Sequence, residues 1–147
     1  MMRTILIALL TTVPLGAALP PPLATVHVTL QVDASAYPLI PESKTCEVEV
    51  PAGSDGKVML TAATASGCIA GWTATFSPTV GAFYLDGVDG RRAVCDTPVW
   101  LVHCTFWFLS ANGQPSDVGI DGWRAAEGDT YGFTYDREFA GLPSPMP

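Results

Sequence analysis

The stretch that decides the fold reads GAFYLDGVDG at residues 81–90, CTFWFLSANGQPSDVGIDGW at 104–123 and EGDTYGFTYD at 127–136. Short aromatic runs alternate with tight glycine turns, the signature of strands bounded by Gly, Asn and Asp. Asn112-Gly113 between two such runs signals a hairpin. Residues 82–88 read as one strand, ended by Asp89-Gly90. Residues 102–110 read as a strongly aromatic second strand. Tyr131, Phe133 and Tyr135 mark the last strand, entered through the turn Glu127-Gly128-Asp129. In a regular strand Phe106 and Phe108 point opposite to Trp107, and Tyr84 points opposite to Phe83 and Leu85. One set meets the core. The other is left on an outer face as a candidate binding patch, unless the irregular insertion at 91–99 covers it. Residues 117–126 read as a loop with one or two short extended pieces.

Upstream, Val26, Val28, Leu30 and Val32 alternate with polar residues, as do Cys46, Val48 and Val50 with Glu47 and Glu49. Both are half-buried strands. Ser54 is placed to cap a short helix at 57–66, with Val58, Ala62 and Ala65 as its apolar face and Gly67 ending it. Trp72, Ala74 and Phe76 form a further strand, broken by Ser77-Pro78. Two strands, one helix, then several strands describe an α+β fold, a β-grasp-like mixed sheet with one short helix, disulfide-stabilised.

The N-terminus has the three-part layout of a secretory signal peptide. Arg3 precedes an apolar run to Leu15, and Gly16-Ala17-Ala18 supplies small residues for cleavage after 18. The run is shorter than the roughly 20 apolar residues of a membrane span. A Pro-rich leader at 19–25, one domain at 26–136 and a flexible tail at 137–147 follow. An exported chain makes its four cysteines, Cys46, Cys68, Cys95 and Cys104, disulfide candidates. Their wide spacing is unlike that of zinc sites. Of three possible pairings, Cys46–Cys68 ties a strand to the helix end, and Cys95–Cys104 closes a local loop; these two are favoured. Net charge is −7 with no basic stripe, which argues against a nucleic-acid partner.

Catalytic signals are weak. His27 sits on the polar face of its strand. His103 beside Cys104 becomes a nucleophile pair only with a free thiolate. Asp86 and Asp89 lack the ligand spacing of a calcium loop and read as turn carboxylates. Asp117, Asp121, Glu127 and Asp129 fall in turn sequences and read as solvated.

Four blocks carry a family resemblance: residues 50–54 (VPAGS) before the helix, 81–90, 106–115 (FWFLSANGQP), and Val118-Gly119 with Gly128-Asp129 and the strand through Tyr135. In this order and spacing they resemble the DUF4430 domain, also called the transcobalamin-like C-terminal domain, over residues 26–136. The resemblance implies a β-grasp domain, the smaller of two that clamp cobalamin. It places Phe83, Tyr84, Leu85, Trp107 and Leu109 at the ligand, with Gly81 and Gly113 serving backbone geometry. The larger helical half of the clamp has no counterpart in the sequence, and the segment 91–104 is longer than the family's usual connection.

The expectation is therefore a secreted, non-enzymatic binding module with no cofactor or metal. Its partner is a small molecule such as cobalamin. The alternative is an extracellular protein-interaction or adhesion module of the cell envelope or matrix, and a secreted hydrolase is a third.

Overall fold

The computed structural model describes residues 24–35, 42–96 and 102–140. The expected signal peptide, most of the leader and the last seven residues lie outside these. Strand β1 (Thr25–Asp33) pairs antiparallel with β2 (Ser43–Pro51), putting Val26, Val28 and Leu30 opposite Val50, Val48 and Cys46. Period-two alternation turns all six to one face, where all are buried. On its other side β1 runs parallel to β9 (Thr130–Ala140), with Leu30 level with Tyr131 and Val32 with Phe133. Strand β7 (Val102–Ala111) pairs antiparallel with β9 and sets Trp107 opposite Tyr135. The main sheet thus runs β2-β1-β9-β7, with a parallel central pair. Strand β6 (Val94–Asp96) adds to the start of β7, and β8 (Gln114–Pro115) adds to its end.

Helix α1 (Gly56–Ala65) lies against β2. This mixed sheet with one short α-helix is the expected β-grasp arrangement. Two details of the helix differ from expectation. Asp55, not Ser54, is the N-cap; its carboxylate accepts the Val58 N–H at 3.1 Å. Ser54 is held in the preceding turn, its N–H donating to Pro51 O and its carbonyl accepting from Ala125. The buried face is Gly56, Met59, Leu60 and Ala63; Val58 and Ala65 are exposed and Ala62 is half-buried. Met59 and Leu60 carry more apolar volume than the expected Val58–Ala62–Ala65 stripe, so they take the core side. Gly67 (φ 76°) ends the helix as expected. Cys46 and Cys68 form a disulfide that ties β2 to the loop after α1.

A second sheet holds β3 (Trp72–Ser77), β4 (Ala82–Val88) and β5 (Arg91–Arg92) in that order. The segment after Gly90 is therefore less irregular than expected, since β5 extends β4 and β6 extends β7. The Thr105 hydroxyl holds β6 by bonding both the N–H and the carbonyl of Val94. Strand β9 also outruns the expected domain edge, because the first half of β7 pairs with it as far as Ala140.

The loop at 117–126 is part of the core. It contains a short 3-10 helix, Ile120–Gly122, in place of the expected extended pieces. Ile120, Trp123 and Ala125 are buried, and the Trp123 ring meets Tyr131 at 4.7 Å and Phe133 at 5.5 Å. Helix α1 presses on this loop at Gly56, where an added Cβ would lie 2.7 Å from Ile120 O and 2.9 Å from the Trp123 ring. Only glycine fits there.

Several turn carboxylates are crosslinks rather than solvated groups. Asp89 pairs with Lys44 and accepts the Ala70 N–H at 2.7 Å. Asp129 accepts from Asn112 Nδ2, the Ala126 N–H and the Tyr131 hydroxyl. Glu127 accepts the His27 N–H. Burial pushes the Asp89 and Asp129 carboxyls up. Their hydrogen bonds, and for Asp89 the Lys44 and Arg91 charges, outweigh it and hold both below the usual 3.8. A depressed folded value means stability that is present above the unfolded value and lost as pH falls through the folded one. We expect a flat thermal midpoint above about pH 5 and a fall below about pH 4. The double variant Asp89→Asn, Asp129→Asn should flatten that fall in a calorimetric pH series. An unchanged acid limb would assign it to other groups.

Among the described residues no helix is long and apolar enough to cross a membrane.

Candidate functional site

The site follows from strand parity. In β7, Asn112 N–H bonds toward β9 at Thr130 O, whereas Leu109 O accepts from Ser116 on the opposite edge. Even-numbered residues therefore bond to β9 and odd-numbered ones to the other side. On that side β6 pairs up to Thr105 and the β8 arm covers from Leu109 onward. The backbone N–H and C=O of Trp107, lying between, face a gap in the sheet edge. Strand β4 presents a matching edge. Its Phe83 N–H turns away from β3 to Asp121 Oδ1 at 3.0 Å, and Leu85, two residues on, points the same way.

Between these two edges lies an open trough of about 810 Å³. Trp107 and Leu85 form its floor; their side chains are buried in the core behind it. The Trp107 ring lies 5.0 Å from Tyr135, and its Nε1 donates to Arg91 O at 3.3 Å. Tyr84, Phe106, Phe108 and Val118 form the walls, all four exposed. Asp86, Asp117 and Asp121 also line the trough, and among the described residues no Lys, Arg or His does.

Of the five residues expected at a ligand, Tyr84, Leu85, Trp107 and Leu109 line the trough and Phe83 does not. The Phe83 ring lies on the other face of its sheet, 5.2 Å from Phe76, with Lys57 Nζ 4.4 Å over it. Gly81 (φ 71°) lines the rim, and Gly113 (φ 77°) closes the β7–β8 turn with Asn112 (φ 51°). Phe106, Phe108 and Val118 were not among the five residues that the resemblance places at a ligand, though strand alternation left the two phenylalanines as candidates for the outer face. The signal for the two phenylalanines was present: once Trp107 belongs to the core, alternation puts both neighbours outside.

Two further expected residues can be placed. Cys104 is disulfide-bonded and offers no thiolate. It stands opposite Cys95 in the β6–β7 register, but the Cys95 and His103 side chains lie outside the described residues. His27 is exposed on the polar face of β1. Burial and the Asp129 carboxylate push the Tyr131 phenol up, which keeps it a neutral donor within its crosslink. Among the described residues no group of three or more His, Cys, Asp or Glu is placed to hold a metal ion.

The chain shares its fold with part of haptocorrin. The structure of haptocorrin in complex with Cbi matches with a TM-score of 0.58 at 19% identity, over 82% of this chain and 27% of that one. This chain thus spans well under half of haptocorrin's length. A candidate metal-binding protein from Ruminococcus gnavus matches with a TM-score of 0.54 at 16% identity, over 77% of this chain and 98% of that one. At these identities the likeness concerns the fold. No protein-family model matches the chain, and no curated protein matches it.

Proposed function

We propose that this protein is a secreted, non-enzymatic binding module of the transcobalamin-like C-terminal type, holding a flat small molecule in the trough between β4 and β7. Cobalamin is the ligand to test first. The observation that carries this reading is the trough itself. The edges of β4 and β7 border it, with the Trp107 backbone between the β6 and β8 pairings, and Tyr84, Phe106 and Phe108 flank them with exposed rings. Peptide-like edges suit amide groups on a ligand, and aromatic walls suit its flat faces. The fold shared with haptocorrin, whose complex contains Cbi, points the same way. The apolar N-terminal segment and the Cys46–Cys68 disulfide support export.

The trough is open on one side, so a ligand there keeps much of its surface in water and the affinity of this chain alone is modest. Titrating the purified mature protein with cobalamin, followed by visible absorbance, should give saturable binding. Phe108→Ala should weaken it about tenfold, the effect of removing one contact of about 1.4 kcal/mol. Thermal stability should hardly change, because Phe108 is exposed. No spectral change at high micromolar vitamin would end the cobalamin reading.

A second reading, a protein-interaction module of the cell envelope or matrix, draws on β3. Among the described residues no strand pairs with its outer edge, and residues 72–77 carry no charge or proline to discourage strand pairing. Phe76→Lys would abolish capture of a protein partner from secreted material while leaving vitamin binding intact.

A further inference from the structure

We infer that the trough selects its ligand by charge: it accepts a flat cation or a neutral ring system bearing amide groups, and it excludes a flat anion. The inference rests on the binding reading above and specifies the chemistry of the same site.

Among the described residues the fixed charges in the lining all have one sign. Asp86 holds the Thr75 hydroxyl at 2.6 Å, and Asp121 holds the Phe83 N–H at 3.0 Å. Both carboxylates are thus positioned by neutral donors, which leave their charge in place. Asp117 is exposed beside them. The described cations are engaged elsewhere: Lys44 with Asp89, Lys57 with Asp55 and the Phe83 ring, Arg91 with Glu42, and Arg124 on the carbonyls of Asp121 and Trp123. Arg92 lines a separate basin with Gly71, Gly87 and Gly90. None of them lines the trough.

The aromatic walls add to this field. The faces of Tyr84, Phe106 and Phe108 carry negative π density, which attracts a cation and repels an anion. Strand-edge amides are indifferent to the sign of a ligand's charge, so they cannot compensate. Across the whole chain the net charge is −7, which concentrates cations and dilutes anions at the mouth of the trough. Because the trough is open, salt screens these interactions. The discrimination is therefore moderate and dependent on ionic strength.

Two probe pairs test this. Thioflavin T is a flat cation, and 8-anilinonaphthalene-1-sulfonate is a flat anion of similar size. Cyanocobalamin is neutral, and sulfitocobalamin is the matching anion with only the axial ligand changed. At low salt thioflavin T should bind about tenfold more tightly than the sulfonate. Cyanocobalamin should bind severalfold more tightly than sulfitocobalamin. Both gaps should close near about 0.5 M salt and in the double variant Asp86→Asn, Asp117→Asn. Circular dichroism of that variant checks that it folds.

If sulfitocobalamin binds as tightly as cyanocobalamin at low salt, the charge inference is overturned and the cobalamin reading stands. If neither corrin binds but thioflavin T outcompetes the sulfonate in a Phe108-dependent way, the charge inference stands and the cobalamin reading falls. If no probe binds, both fall.

Discussion

Replacing Trp123 with alanine should lower the free energy of unfolding by about 3–5 kcal/mol, the cost of deleting a fully buried large aromatic side chain. The residue is 4% exposed and packs on Tyr131 and Phe133, from the central strand β9. Domains of this size are stable by only about 5–15 kcal/mol, so the loss is a large share of the total. A functional consequence accompanies it. Trp123 Nε1 donates to Ser116 Oγ at 2.9 Å, and the Ser116 N–H in turn donates to Leu109 O at the end of the open β7 edge. Removing the indole frees the loop that carries Val118, so vitamin affinity should fall with stability. Trp123→Phe, which refills most of the volume but lacks the N–H, should recover more stability than binding. Urea denaturation followed by circular dichroism reads the first effect, and titration of the folded variant reads the second. A stability loss below about 1 kcal/mol would mean that the 117–126 loop is a surface loop after all.

The second large effect is expected from the disulfide. Cys46 lies opposite Leu30 in the register, 2% exposed, and its bond to Cys68 closes a loop with a sequence separation of 22. The chain-entropy model gives about 3 kcal/mol for a loop of this length. The double variant Cys46→Ala, Cys68→Ala should lose about that much in urea denaturation. Alanine leaves the half-cystine sites apolar, so the variant isolates the crosslink better than a reducing agent, which also acts on Cys104. The helix and β2 would still pack through Met59, Leu60 and Val48, so the native fold should persist. A variant as stable as the parent would show that the bond only decorates contacts already made.

Strand alternation and turn chemistry made most of this fold legible from residues alone. Val26 to Val32, Cys46 to Val50, and Tyr131 to Tyr135 show period-two patterns that fix both strand and facing. Asn112-Gly113 fixes a turn because both residues adopt positive φ there. The 117–126 loop was opaque because Ile120, Trp123 and Ala125 follow no helix or strand period. Irregular backbone carries core residues at spacings set by tertiary contacts. The helix face was misplaced because Val58, Ala62 and Ala65 form one apolar stripe and Met59, Leu60 and Ala63 form another beside it, and the larger side chains of the second take the core side.

The candidate site was legible in part for a related reason. The strands that border the trough stood out through their aromatic content, and Tyr84, Leu85, Trp107 and Leu109 line it while Phe83 does not. Which backbone groups of β7 face the trough could not be read without knowing which edge of β7 is open. That depends on β6 and β8 covering only its two ends. Asp89 and Asp129 illustrate the same limit. A turn carboxylate looks solvated until the turn is placed beside Lys44 or Asn112.

The trough account is tested most directly by amide chemical shifts and amide exchange in the isotope-labelled mature protein, with and without saturating cobalamin. The account predicts that the vitamin shifts and protects the backbone amides of Trp107 and Leu85, with further shifts at Tyr84, Phe108 and Val118, while β2 and α1 stay unchanged. Shifts gathered on the β3 edge or on β2, with Trp107 untouched, would contradict it.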